Sequence, residues 1–252
     1  MNIILHGTGA GTPSGNRGAS AATVAFEDGS LLLIDAGEGC CRGMIRDGRE
    51  LNDVTSVVIS HMHADHWAGL PNLVMAWIIS KREKPVDLYL PPRSLNFFRS
   101  LLTASLLLVN RLPFELRMVE LKSFPLPGEW TLRPFRTSHL DKYAEVIEAQ
   151  SLSFPSFGFV LEREGKKIIF SQDLGSEKDL HEELSGTDIL ICEAAHVDLA
   201  QAIEDACDTG ISRLVFTHIP SDREEALQGF ENEERIGLSI AEDGLMIPLQ
   251  DF

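Results

Sequence analysis

The stretch Ile59-Ser60-His61-Met62-His63-Ala64-Asp65-His66-Trp67-Ala68-Gly69-Leu70 decides how the rest of the chain is read. Three imidazoles and a carboxylate fall within six residues, between the apolar, β-branched run Val57 to Ile59 and a helix-like stretch that opens at Gly69. A loop joining a strand to a helix can turn all four side chains inward from a single bend. Imidazole nitrogen and carboxylate oxygen together suit Zn²⁺ and other borderline divalent cations. By alternation His61 and His63 share one position while Asp65 and His66 face another, so one loop can feed two neighbouring ions. A histidine-rich surface loop is the plain alternative, and a match of this density is far more specific than an isolated His-x-His.

Outward from that loop the same pattern recurs. Leu31 to Ile34 lead to Asp35, Ile168 to Phe170 lead to Asp173, Ile189 to Ile191 lead to Glu193, and Leu214 to Phe216 lead to His218. Runs this short, bounded by turn residues, predict buried strands whose C-terminal ends deliver polar side chains to one sheet edge. Helix-like stretches lie between them at Gly69 to Lys81, Pro92 to Val109, Glu177 to Leu184 and Val197 to Thr209. From Leu95 to Val109 the chain is apolar almost all round, so this helix is expected to be buried within the monomer, with cover by another subunit as the alternative.

Two ions need more ligands than one loop supplies. His139 ends the stretch Thr131 to Ser138 and His218 follows Arg213 to Phe216, so both stand where ligands belong. The Asp173 carboxylate, in Ser171-Gln172-Asp173-Leu174-Gly175, can bridge two cations. The assembled set is His61, His63 and His139 at one ion, Asp65, His66 and His218 at the other, with Asp173 between. Three or four protein ligands leave each ion an open position for water, which is the arrangement of a catalytic rather than a structural site. His6 and His181 read as structural or exposed. Asp35 reads as lying behind the ligands, orienting a histidine or capping the following turn.

With 252 residues, 44% of them hydrophobic and 24% charged, the chain has the composition of a folded protein with an ample core. No low-complexity tract or Gly/Ser-rich linker divides it, which predicts one domain over residues 1–252. Its apolar stretches fall short of the roughly 18 residues of a membrane span. The first residues lack the basic and apolar regions of a signal peptide. Cys40, Cys41, Cys192 and Cys207 show no metal or disulfide spacing. A cytoplasmic protein with reduced cysteines is expected. The balance of 38 acidic against 22 basic side chains gives a formal charge of −16, which opposes non-specific binding to a polyanion.

With these residues in place, the chain resembles the metallo-β-lactamase-fold hydrolases, and within them ribonuclease Z, over nearly its whole length. Leu5 to Pro13 with the Gly7-Thr8-Gly9 turn resembles the family's opening strand and loop. Ile34-Asp35-Ala36-Gly37-Glu38-Gly39 is similar to its Asp-Cys-Gly-Glu-Gly motif, and Ile59 to Leu70 to its Thr-His-x-His-x-Asp-His-x-x-Gly-Leu stretch. Phe157-Gly158-Phe159, Glu193-Ala194-Ala195 and Leu214 to Ile219 resemble its Ser-Tyr-Gly-Tyr, Glu-Ala-Thr and Leu-Thr-His elements.

The resemblance implies an αββα sandwich, two mixed β-sheets flanked by helices, with two Zn²⁺ on the ligands assembled above, Mn²⁺ or Fe²⁺ being alternatives, and a homodimer. It also implies that Asp65 helps activate the attacking water. A histidine ahead of the closing motif, oriented by the Glu of Glu-Ala-Thr, then serves the leaving group. By position these are His196 and Glu193, only three residues apart here, whereas the family separates them further. An exposed histidine at a helix start is the plain alternative for His196.

The resemblance points to a phosphodiester substrate, either RNA cut at a 3′ end or a small or cyclic phosphodiester. Ribonuclease Z enzymes that process precursor tRNA carry a protruding arm between the third ligand motif and the bridging Asp. Here only 33 residues separate His139 from Asp173, and the stretch Asp141 to Pro155 sets Asp141, Glu145 and Glu148 against Lys142. The clusters Arg42, Arg46, Arg49 and Lys81, Arg82, Lys84 read as solvated helix faces rather than a tRNA platform. Hydrolysis of a carbon ester, lactone or thioester on the same ions is the alternative activity, and a leaving-group acid at His196 favours the phosphodiester. A flavin-coupled diiron reductase is disfavoured because His63 stands where that branch has Glu. A binding protein that kept only the fold is disfavoured by the complete ligand set.

Overall fold

In the computed structural model, which describes residues 1–150, 152, 155–230 and 233–249, strands stand where the short apolar runs predict them. The first six are β1 (Asn2–Gly7), β2 (Ala21–Ala25), β3 (Leu31–Ile34), β4 (Val54–Val58), β5 (Val86–Leu90) and β6 (Leu116–Glu120). Seven more follow: β7 (Phe124–Pro125), β8 (Thr131–Thr137), β9 (Ser156–Arg163), β10 (Lys166–Phe170), β11 (Ile189–Glu193), β12 (Arg213–Thr217) and β13 (Gly237–Ile240). The last, β14 (Leu245–Pro248), returns to pair with β1. Two seven-stranded mixed sheets result, in the orders β14-β1-β2-β3-β4-β5-β6 and β13-β12-β11-β10-β9-β8-β7.

Strands β3 to β6 run parallel, as do β10 to β13. Parallel neighbours need crossovers, and helices supply most of them. In the first sheet these are α1 (Cys40–Arg46), α2 (Leu70–Ile79) and α3 (Leu95–Ala104). The short α4 (Ala144–Ala149) lies between β8 and β9, and α5 (Leu199–Asp208) and α6 (Glu224–Gln228) serve the second sheet.

The central stretches of the strands are apolar because each face of each sheet meets a core. In β3, Leu31 and Leu33 face Met44, Leu73, Trp77 and Phe98 of the helices, while Leu32 and Ile34 face the other sheet. In the second sheet Ile168, Phe170, Ile191 and Val215 close that middle core. Ile169, Leu190, Leu214 and Phe216 point the other way, onto Ile203, Ala206 and Leu227. Three cores therefore separate four layers, which is the αββα sandwich.

Three local expectations need correction. The apolar stretch from Leu95 to Val109 is not wholly buried in the monomer: its helix stops at Ala104, Phe98 and Leu102 are buried, and Phe97 and Leu106 are 39% and 83% exposed. Glu177 to Leu184 forms only a 3-10 turn over Glu177–Leu180 before further turns. Arg82 is not on a solvated face. It is buried, donates to the carbonyls of Lys84, Asn52, Val54 and Pro85, and lies over the Trp77 ring. Of the stretch Asp141 to Pro155, residues 151, 153 and 154 lie outside the described residues. The four cysteines are free, and among the described residues no helix is long and apolar enough to cross a membrane.

Candidate metal centre

The histidine loop is seated on the turn that follows β3. Asp35 N–H donates to Val58 O at the end of β4, Ala36 N–H to His66 O, and Gly69 N–H back to Ala36 O. The backbones approach so closely that a Cβ on Gly37 would stand 2.3 Å from Asp65 O, and one on Gly69 2.2 Å from Gly37 O. No side chain fits at either place, so both glycines are required by close approach rather than by a turn. The loop therefore leaves β4 at a fixed angle, with His61, His63, Asp65 and His66 directed at the strand ends of the second sheet.

There His139 follows β8, Asp173 follows β10 and His218 follows β12. The structure brings all seven side chains together in two groups. One ligand atom each from His61, His63, His139 and Asp173 lies within 4.8 Å of the others, and the same holds for Asp65, His66 and His218. Asp173 presents one oxygen to each group. Its Oδ2 is 3.7 Å from His61 Nε2 and 3.4 Å from His139 Nε2, while its Oδ1 is 3.2 Å from His66 Nε2 and 3.3 Å from His218 Nε2.

Several of these atoms are buried without a hydrogen-bond partner: His61 Nε2, His66 Nε2 and Asp173 Oδ1. Leaving a buried polar atom unpaired costs about 1–3 kcal/mol. Three of them facing one another is what a cation site requires and an ordinary core does not tolerate. The donor set, five imidazoles and two carboxylates, is that of zinc or a similar borderline cation.

The opposite ring nitrogens are held from behind, which fixes ring orientation. His66 Nδ1 meets Asp35 Oδ2 at 2.5 Å, and His61 Nδ1 meets Ser60 Oγ at 3.1 Å. Ser60 in turn donates its N–H and its hydroxyl to Asp35, and Gln172 Nε2 donates to the same carboxylate. Asp35 thus orients His66, as one of its two sequence readings has it. Burial pushes His61 well below the usual histidine range and His139 down to about 4, so both rings are neutral near pH 7, and His139 Nε2 meets His63 Nδ1 at 3.0 Å. Burial also disfavours charge on His66, but the Asp173 and Asp35 carboxylates outweigh it and raise His66 well above the usual value. These carboxylates call for a positive charge at this point, and a cation supplies it as well as a proton does.

His196 stands beside the cluster on the loop after β11, its ring 4.6 Å from that of His139 and 6.2 Å from that of His218. Glu193, the last residue of β11, is fully buried and meets His196 Nδ1 at 3.2 Å. Its carboxylate raises the His196 pKa above the usual value. It also accepts the backbone N–H groups of Ala195 and His196, so the short spacing is a tight turn built around the carboxylate. Sequence reading missed Arg223, which donates to the carbonyls of Ala194 and Val197 on either side of His196. It also missed Ser60, and Lys142 and Tyr143 on the rim of the cleft of about 540 Å³ over the site. Ser60 could have been suspected from its place in the loop, whereas nothing local marks Arg223. His6 and His181 stand apart from the site, paired with Asp47 and Asp205.

Comparison with known proteins agrees with this geometry. A family model described as a beta-lactamase superfamily domain matches residues 31–219. The ribonuclease Z of Pseudomonas putida (strain W619) is 36% identical over 131 residues, covering 52% of this chain and 39% of that protein. The chain thus spans well under half the length of that relative. The ribonuclease Z of Methanosarcina mazei is 25% identical, covering 93% of this chain and 92% of that one. Among solved structures, the short form of human tRNase Z superposes with a TM-score of 0.75 at 25% identity, covering 98% of this chain and 99% of that one.

Proposed function

The chain belongs to the beta-lactamase superfamily, and from that premise we propose that it is a dinuclear metal-dependent hydrolase, a phosphodiesterase of the ribonuclease Z type. The observation that carries this reading is the pair of ligand groups sharing Asp173, each with unpartnered ring nitrogens, and His196 on Glu193 beside them. His61, His63 and His139 would hold one ion, Asp65, His66 and His218 the other, and Asp173 would give an oxygen to each. Zn²⁺ suits this set best, with Mn²⁺ or Fe²⁺ as alternatives. Divalent cations bound there supply Lewis acidity, offsetting phosphate charge and acidifying water.

The remaining chemistry belongs to the side chains. Asp65, 17% exposed at the cleft, accepts the proton of the attacking water. Glu193 accepts from His196 Nδ1, which leaves the other ring nitrogen to protonate the departing oxygen. A leaving-group acid at this place supports the phosphodiester over the lactone. The substrate is an RNA 3′ end or a small or cyclic phosphodiester. The names of the relatives support RNA. The formal charge of −16 and the short, acidic stretch around α4 support a small diester. We further infer a single hydrolase domain over residues 1–252, acting in the cytoplasm as a homodimer, which light scattering checks.

The deciding experiment is turnover of bis-p-nitrophenyl phosphate and of a precursor tRNA by zinc- or manganese-loaded protein, with His66→Ala and His196→Ala alongside. Turnover of both, lost on both in His66→Ala and lost chiefly on the precursor tRNA in His196→Ala, is expected of a ribonuclease Z that works without the arm. Turnover of the small diester alone assigns a small-molecule phosphodiesterase. Silence on both with two ions bound rejects the phosphodiester and moves the reading to carbonyl substrates.

A further inference from the structure

Every ligand group draws on both sheets, so its geometry depends on how the two strand ends are held against each other. His61, His63, Asp65 and His66 come from the first sheet's loop, and His139, Asp173 and His218 from the second. Gln172 and Asp35 span that boundary. Gln172 lies two residues beyond β10 and Asp35 one beyond β3, and Gln172 Nε2 donates to Asp35 Oδ2 at 2.5 Å.

Two features set this contact apart. Gln172 has φ +46°, a conformation that L side chains resist and glycine adopts freely. A glycine would hold the turn more easily, so what the position gains from glutamine is its side chain. Asp35, moreover, is wholly buried, and its other partners, His66 Nδ1 and the Ser60 hydroxyl and N–H, all belong to the first sheet's loop. Among the described residues Gln172 is its one hydrogen-bond partner from the second sheet. Its chain neighbour is Asp173, which faces both groups.

We propose that Gln172 is a positioning residue that pins the second sheet to Asp35, and through Asp35 sets the His66 imidazole for the ion it shares with Asp65 and His218. The pin rests on the two-ion reading above. Partners that orient a ligand histidine in this way are worth about 10–100-fold in metal affinity.

Gln172→Gly removes the amide while easing the backbone. Gln172→Glu keeps the shape and sets a second carboxylate against Asp35. Metal affinities, read by competition with a chromophoric chelator, are expected to fall at least about tenfold for one ion and to hold for the other in Gln172→Gly, with a larger loss in Gln172→Glu. A second readout needs no metal. Amide hydrogen exchange at Ser60, whose N–H is held by Asp35 Oδ1, should quicken in both variants of chelator-stripped protein. Unchanged affinities, or equal loss of both ions, overturn the pin, as does unchanged exchange at Ser60. Should the wild type bind fewer than two ions, the metal reading fails first, and exchange at Ser60 still decides the pin.

Discussion

Three histidines in this chain set Nδ1 on a carboxylate, and their second ring nitrogen tells them apart. His6 has both nitrogens satisfied, Nδ1 on Asp47 at 2.7 Å and Nε2 on Thr23 at 2.8 Å, so it is a structural residue. His66 has one nitrogen on Asp35 and the other unpartnered, the signature of a ligand. His196 has one on Glu193 and its ring in the cleft, which suits an acid. Two predictions belong here. Burial lowers the His6 pKa below its ordinary value despite Asp47, so the folded chain resists a proton that the unfolded chain accepts below about pH 6.5. Its contribution to stability is complete above that pH and is lost as pH falls through the lowered pKa. The denaturant midpoint of wild type should drop below pH 6.5 more steeply than that of His6→Gln. His196→Ala should slow cleavage of a diester with a poor alkoxide leaving group by about 10²–10⁴-fold, and of an activated aryl diester far less. Equal loss on both would show that His196 is not the acid. At this scale the histidine loop was legible because ligand spacing is local. Gln172, Ser60 and Arg223 were less so, because their roles are defined by partners distant in the chain.

Strands were the most legible elements and helices the least. A strand buried on both faces has to be apolar at every position, so Leu31 to Ile34 could hardly be anything else. The apolar stretch around α3 misleads because apolar content does not say which face is covered: Phe98 and Leu102 pack on the sheet while Phe97 and Leu106 do not. The seat of the histidine loop is a contact between elements, and it carries its own prediction. Gly37→Ala places a methyl against Asp65 O and should cost about 1–3 kcal/mol, while Gly15→Ala, with open space around it, should be neutral. Urea unfolding of both checks this, and a neutral Gly37→Ala would mean the loop yields where the contacts say it cannot.

The whole molecule holds its site as a seam between two sheets, and ions bound across a seam tie it shut. Chelation should therefore lower the melting temperature and zinc should restore it, by about 2.7 kcal/mol per site at 100 times the dissociation constant. A melting temperature indifferent to chelator would count against ions shared between the sheets. The sequence by itself determined the alternation of buried strands and singled out the seven histidines and aspartates that meet at the seam, because periodicity and ligand spacing are properties of short stretches. Only the tertiary structure decided that Asp173 turns one oxygen to each group, that Arg82 is buried, and that Gln172 reaches Asp35. The reason is physical: these contacts join residues up to 137 positions apart, and their distances exist only once the middle core has brought the two sheets face to face.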